Sequence, residues 1–482
     1  MKALDNFLNN ITMYRLVLYY LVVLVAVSGV YSAFGVLPFE PVDFIYSSLG
    51  LLGVCFAVNK LLAAVFKAPA NTESVYITAL ILALVVHPAS NLSGLVNLAA
   101  ISFFAIASKF IITINKKHIF NPAAIGVFLS AILITHSATW WVGNSKMLPF
   151  VLIGGFLVIR KTKRADLALS FLVSASVLTI IRGFSGGLIA SPIWFFASIM
   201  LTEPQTTPPT KNLRIAYGTL VGALFATTWK IGPIFATPEA ALIVGNIFSY
   251  LVSPKEKLLL KLKKRACLAE DIYEFTFAGT GPIKYKPGQY MEWTLAHGDS
   301  DSRGVRRYFT LASSPTEEEL KIGVKFSDNG SSFKKSLLTI GDKNIVASQL
   351  AGDFTLPKNK NQKLVFIAGG IGITPFRSML KYLDDKNENR DIVLFYTAKT
   401  PGEFVYKDIF AEAEKRLGIK TIYVATKISG RLDEHKIKEA VPDYKERVFY
   451  LSGPHALVEA FKSSLSNLKV KGIKTDYFPG YT

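Results

Sequence analysis

KLVFIAGGIGITPFRSML, residues 363–380, decides how the C-terminal half of this chain folds. A β-branched and aromatic run, Leu364 to Ile367, meets Gly369, Gly370 and Gly372, and an apolar, helix-capable segment opens at Pro375. A strand that stops at a glycine turn and restarts as a helix aims bare backbone N–H groups at one point, where the helix dipole favours anions. Glycines let a pyrophosphate approach without a side-chain clash, and proline suits a first helical turn.

The surroundings of this stretch extend the pattern. KLVFIAG, DIVLFYTA, TIYVAT and RVFYLSG alternate with helical stretches, which predicts an α/β doubly wound parallel sheet. Ligands of such sheets sit beyond the carboxyl ends of the strands, where Gly369–Thr374 and Ser452–Pro454 both fall. Upstream, from about 257 to 355, short strand-like runs alternate with turns and predict a small antiparallel β-barrel. The run KLLLKLKKR (257–265) reads as a first strand with a basic, membrane-facing edge.

The first half differs in kind. Residues 1–252 hold 16 Lys/Arg and 7 Asp/Glu, against 38 and 28 in the rest, and long apolar runs fill them. About ten apolar segments lie between residues 14 and 252, several of the roughly 20 residues that cross a bilayer. Basic residues gather in alternate connections, from Lys2, Arg15 and Lys67 through Lys116, Lys117 and Arg160–Arg164 to Lys211 and Arg214. The positive-inside rule then predicts a multi-pass protein of the cytoplasmic membrane with both termini cytoplasmic. The first apolar segment lacks a small-residue cleavage site and reads as retained. Three domains are expected: a polytopic α-helical membrane domain over 1–253, an antiparallel β-barrel domain over 254–357 and an α/β domain over 358–482.

Across roughly 257–482 the order of motifs resembles the ferredoxin–NADP reductase superfamily. That family's Arg-x-Tyr-Ser/Thr signature for FAD is matched by Arg307, Tyr308, Phe309 and Thr310 in RRYFTLASSP. The resemblance implies a guanidinium forked onto the flavin pyrophosphate, an aromatic ring packed on the isoalloxazine and a hydroxyl at its N5. Phe309 stands where tyrosine is usual. NGSSFKKSLL (329–338) resembles the second flavin element, with Gly330, Ser331 and Ser332 as phosphate donors. KPGQY (286–290) and GDFTLP (352–357) fit the turn before the flavin strand and the exit from the barrel. GGIGITP resembles the nicotinamide-dinucleotide turn, which makes Gly369, Gly370, Gly372, Thr374 and Pro375 candidate NAD(P) contacts. Ser452, Gly453 and Pro454 resemble the Cys-Gly-Pro element beside the nicotinamide, with serine for cysteine. Thr310 and Ser452 are the candidate catalytic pair. The tail aromatics Phe478 and Tyr481 are candidates to shield the flavin ring. Thr426 and Lys427 stand where NADPH users place Ser-Arg; the match is weak, and NADH is slightly favoured.

Two segments of the first half stand out: KKHIFNPAAIGVFL (116–129) and MLTEPQTTPPTKN (200–212) put irregular polar residues at span ends, which is tolerated where they line a cavity or are buried in protein. Residues 40–252 resemble the B- and D-type membrane subunits of the sodium-pumping NADH:quinone reductase and the Rnf complex. That resemblance implies a second flavin, FMN or riboflavin, in the membrane domain, with Asn121 and Glu203 beside it. Family members attach FMN to a threonine; Thr139 is the candidate here, although the loop that holds it is short and departs from the family's motif.

Other cofactors are not expected. Two cysteines, Cys55 and Cys267, cannot hold an iron–sulfur cluster or a metal site, and no two of the six histidines share a helix at the spacing of stacked haems. The expected function is a membrane-bound, flavin-dependent NAD(P)H oxidoreductase. Electrons would run from NAD(P)H through FAD to a flavin, flavoprotein or quinone in or across the bilayer; no nucleic acid takes part. Two alternatives stand: a membrane-anchored reductase for a cytoplasmic carrier such as ferredoxin, or part of a redox-driven ion pump. The scarcity of acids in the spans weakens the pump.

Overall fold

Apolar runs in the first half fold as helices because no other regular structure satisfies the backbone within the segment itself. The computed structural model describes residues 4, 7–8, 11–66, 72–114, 117–183, 191–232, 234–253, 257–278, 283–298, 300–301, 304–327 and 330–476. Lys2, Lys67, Lys116, Phe478 and Tyr481 lie outside the described residues. The chain divides into two compact units, Met1–Glu256 and Lys257–Thr482.

The first unit is built from α1 (Met13–Ala33), α2 (Pro41–Val65), α3 (Thr72–Val85), α4 (Leu92–Ile111), α5 (Pro122–Leu133), α6 (Leu148–Thr162), α7 (Ala165–Ile181), α8 (Lys211–Ala226) and α9 (Pro238–Val252). Thr12 and Asn91 cap α1 and α4 by accepting the N–H groups of Arg15 and Gly94. Among the described residues, α1, α2 and α4 are the three helices long and apolar enough to cross a membrane, in place of the expected ten or so. The reason is visible in α3. Val75 and all of Thr78–Val85 are buried, so its apolar run marks a helix packed on every side by protein. Length excludes others: α5 has 12 residues, a rise of about 18 Å against a hydrocarbon layer of about 30 Å. Small residues bring helices close. Gly218 and Gly222, four apart on α8, lie so near α7 that an added Cβ would come within 2.7 Å of Leu167 O and 2.6 Å of Phe171 O.

In the second unit, β1 (Leu258–Ala269), β2 (Ile272–Ala278), β3 (Tyr290–Thr294), β4 (Arg306–Thr310), β5 (Leu320–Lys325) and β6 (Asn344–Ala351) form one antiparallel sheet in the order β4-β3-β6-β1-β2-β5. A short helix, α10 (Ser332–Leu338), covers it. Among the described residues the strand order is open, with no ladder that closes it into the expected barrel. β4 and β5 are not paired; Ala312, just past β4, donates its N–H to Lys321 O of β5 at 2.8 Å. The basic first strand is not an edge either; β1 is paired on both sides, with Lys261, Lys263, Lys264 and Arg265 exposed.

The following strands are parallel: β7 (Leu364–Gly369), β8 (Ile392–Ala398), β9 (Lys420–Ala425), β10 (Val448–Ser452) and β11 (Gly472–Asp476), in the order β9-β8-β7-β10-β11. Every residue of β7 and β8 is buried, which is why both read as unbroken apolar runs. Leu364 and Phe366 pack with Phe376 and Leu380 of α11 (Thr374–Asp385) and Phe410 of α12 (Lys407–Leu417). Val365 and Ile367 face the opposite layer, with Ile437 of α13 (Glu434–Ala440) and Val458 of α14 (His455–Asn467). The sheet is doubly wound, and its order reverses between β7 and β10. A crevice beyond the strand ends at that reversal is where ligands of such sheets bind.

Candidate functional site

At the reversal, the carboxyl ends of β7 and β10 are neighbours, with Ala368 and Ser452 in register. β7 ends at Gly369, a 3-10 turn covers Gly370–Ile373, and α11 starts at Thr374 with Pro375 in its first turn. Gly370 has φ +54°, in the region that glycine alone enters freely. Gly372 is required for a different reason. A Cβ there would sit 2.5 Å from both Cα and N of Gly453 and 2.6 Å from the carbonyl carbon of Ser452. The two turns thus touch backbone to backbone. Pro454 precedes α14, so two helices start side by side.

Thr310 ends β4 and Ser452 ends β10. Both hydroxyls donate to the same oxygen, Oδ2 of Asp476, at 3.0 and 3.3 Å. All three side chains are buried, at 5 %, 2 % and 8 % exposure. Asp476, the last residue of β11, therefore joins the end of the antiparallel sheet to the reversal of the parallel one. No motif in the sequence marks it. Its one signal was an isolated acid in the final strand.

Arg307 is 4 % exposed. Its Nη1 donates to Gly304 O at 3.2 Å, and its guanidinium lies 5.4 Å from the Phe333 ring centroid and 4.0 Å from Asp301. Phe309, on the same strand face, packs on that ring at 6.0 Å. Tyr308 points the other way and donates its hydroxyl to Glu292 at 2.9 Å. Gly330 leads into α10, Ser331 caps it by accepting Lys334 N–H, and Ser332 N–H donates to Asp301 Oδ2 at 2.9 Å. Asp301, also unforeseen, shows that the donors of Ser332 and Arg307 converge on one anionic group. That suits the phosphates expected there. Gln289 Nε2 donates to Gly352 O, which ties the KPGQY turn to the GDFTLP segment.

The parallel-sheet elements are bolted to the antiparallel sheet beside this site. Arg377 of α11 forks onto the Glu317 carboxylate, with Nη2 to Oε1 at 2.9 Å, and donates through Nη1 to Ala312 O at 3.0 Å. Burial pushes the Glu317 carboxyl up, but the hydrogen bonds and charge of Arg377 outweigh it and hold the pKa at about 2. A carboxyl depressed on folding contributes stability that is complete above its unfolded pKa near 4.5 and lost as pH falls toward 2. We expect Glu317→Gln to flatten the fall in stability between pH 5 and about 2.5, by about 2 kcal/mol after allowance for solvent screening. Parallel acid-denaturation curves for the two proteins check this.

In the first unit, Asn121 and the 200–206 segment come together. Asn121 caps α5, its Nδ2 donates to Met200 O at 3.3 Å, and its backbone N–H donates to Asn246 Oδ1 at 2.8 Å. Asn246 in turn donates to the Tyr217 hydroxyl at 2.9 Å. Glu203 lies 3.7 Å from His118 and accepts from Thr206. Thr139 is elsewhere. It is exposed, its N–H donates to Val85 O, and it follows the far end of α5, about 18 Å of helix from Asn121. The three residues do not form one site.

Residues 366–463 match the family described as oxidoreductase NAD-binding domain. The chain is 26 % identical over 213 residues to the glycine betaine monooxygenase reductase subunit of Chromohalobacter salexigens, covering 41 % of this chain and 57 % of that one. It is 31 % identical over 182 residues to an NADPH oxidoreductase of Mycobacterium tuberculosis, covering 36 % and 47 %. Among solved structures, the ferredoxin-NADP+ reductase of Plasmodium falciparum superposes with a TM-score of 0.39 at 18 % identity, over 46 % of this chain and 97 % of that one. The chain spans about half the length of the curated relatives it matches. Residues 366–463 thus match an oxidoreductase NAD-binding domain, in a chain that is similar to known reductases.

Proposed function

We propose that the whole chain is a membrane-bound NAD(P)H oxidoreductase that passes electrons through FAD to a flavin or quinone in or across the bilayer. The observation that carries the reductase chemistry is the convergence of Thr310 and Ser452 on Asp476, at the point where β7 and β10 part. Bound FAD would supply the redox chemistry, taking a hydride from NAD(P)H, which leaves oxidised, and releasing the electrons to the acceptor. The chain's own residues do the rest. Arg307, Ser331 and Ser332 would hold the phosphates. Gly369–Pro375 and Gly453 admit the dinucleotide, with NADH slightly preferred. Asp476 orients the Thr310 and Ser452 hydroxyls, and burial keeps all three from water.

The membrane part of this reading rests on α1, α2 and α4 and on the buried polar cluster around Asn121 and Glu203. A bilayer is too thick for one electron jump, so transfer across it needs a second cofactor there. A second reading is favoured by the relatives' names: a reductase component for an oxygenase or a ferredoxin-type carrier, anchored by the helices. Flavin content separates the two. Two flavins per detergent-purified chain support the transmembrane path; one supports the anchored reductase. Thr139→Val is expected to leave SDS-resistant flavin fluorescence, if the wild type has any, unchanged, since Thr139 lies apart from the Asn121 cluster.

A further inference from the structure

The helix that starts at the dinucleotide turn is fixed by a side chain one turn further on. Arg377 is 4 % exposed, and its hydrogen bonds all go to the segment that follows β4. Nη1 donates to Ala312 O, two residues after Thr310, and both terminal nitrogens grip Glu317. The next residue, Ser378, donates its hydroxyl to Ser313 O at 2.5 Å. Glu317 is itself held, accepting the Ser314 N–H at 2.6 Å and the Lys321 ammonium at 3.0 Å. Tyr285 donates to Ser313 O at 2.9 Å from the other side, and the Tyr406 ring lies 5.6 Å from the guanidinium. Packing closes the remaining gap: a Cβ at Gly323 of β5 would meet Thr374 Cγ2 at 2.7 Å and Ile371 Cδ1 at 3.0 Å.

A planar fork held on a carboxylate and a carbonyl has little freedom to slide, which a flexible ammonium retains. The clamp thus ties α11, which follows the Gly370–Ile373 turn, to the segment that follows Thr310. We propose that Arg377, gripping Glu317 and Ala312 O, is a positioning residue that sets the separation of the nicotinamide and flavin rings without touching either. This rests on the reductase reading above. It adds a residue to which the glycine turn, the arginine of the flavin strand and the serine–glycine–proline element gave no pointer. Reacting atoms must come within about 3–3.5 Å, and a misplacement of about 1 Å costs on the order of 100-fold in rate.

The test compares the full-length wild type with Arg377→Met, Arg377→Lys and Glu317→Gln. Each is measured for FAD per chain, NADH dissociation constant, limiting rate of anaerobic flavin bleaching, and hydrogen exchange of the Ser314 and Lys321 amides in FAD-stripped protein. Arg377→Met is expected to keep FAD and NADH affinity within about threefold, lose about 100-fold in limiting rate, and speed exchange at both amides. Arg377→Lys should recover part of the rate. Glu317→Gln, which keeps the shape and removes the charge, should lose about tenfold and serves if Arg377→Met does not fold. A limiting rate in Glu317→Gln and Arg377→Lys equal to wild type, or unchanged exchange in the variants, would overturn the positioning role. A wild type that neither holds FAD nor bleaches would overturn the reductase reading instead.

Discussion

Alanine at Gly372 is expected to slow NADH bleaching of the bound flavin by about 100-fold or more, with FAD content unchanged. The added methyl group would have to occupy space 2.5 Å from Gly453 Cα and N, and both of those are backbone atoms with no side-chain freedom to retreat. The glycine turn and the Ser452–Pro454 turn must then separate, which moves the dinucleotide and the Ser452 hydroxyl in opposite directions. The overlap also costs stability, about 1–3 kcal/mol for an overpacked contact, so a thermal-unfolding control belongs with the stopped-flow trace. Gly402, by contrast, has open space where a Cβ would go, and Gly402→Ala is expected to behave as wild type. An unaltered bleaching rate in Gly372→Ala would remove this crevice as the dinucleotide site.

The second large effect concerns FAD retention. Arg307→Met is expected to purify with less than about one-tenth of the wild-type FAD. A buried guanidinium facing an anion contributes on the order of 1.5–3 kcal/mol through each charge-assisted hydrogen bond, so losing a bidentate pair weakens binding by a factor of about 100 or more. Arg307 already stands beside an anionic group, Asp301, and is braced by Phe333. Arg306 provides the comparison. It is the neighbouring cation on the opposite face of β4, 4.0 Å from Glu292, and Arg306→Lys is expected to keep the flavin. Absorbance of the bound flavin per chain, read on both proteins after gel filtration, decides the matter. Equal flavin in Arg307→Met and wild type would refute the assignment of Arg307 to the pyrophosphate.

The parallel sheet was legible in the sequence for a physical reason. Strands buried on both faces must be largely apolar, and β7 and β8 are; the turn that follows must be glycine, because Gly372 meets backbone. The ends of β4 and β10 were legible as separate motifs. The group that joins them, Asp476, was not, because it stands at the end of β11, 166 residues beyond Thr310, with no motif to mark it. Arg377 and Glu317 were hidden for the same reason, as partners 60 residues apart with no spacing to mark them. Membrane topology misled the reading in an instructive way. Apolarity along α3 arises from burial inside the helical unit, and a run of apolar residues does not tell lipid from protein. The meeting of Asn121 with the segment around Glu203 followed from two polar interruptions that each needed partners, whereas Thr139, in a short loop, had no such constraint.

Anaerobic titration of the detergent-purified full chain with NADH, followed at the flavin absorbance, is the decisive measurement. Tightly bound FAD should lose its yellow colour stoichiometrically in the wild type, slowly in Gly372→Ala, and be missing from Arg307→Met. A chain that carries flavin with or without Arg307, and whose colour fades no more slowly when Gly372 is replaced, would place the hydride donor and the flavin somewhere other than the meeting of β4 with the β7–β10 crevice.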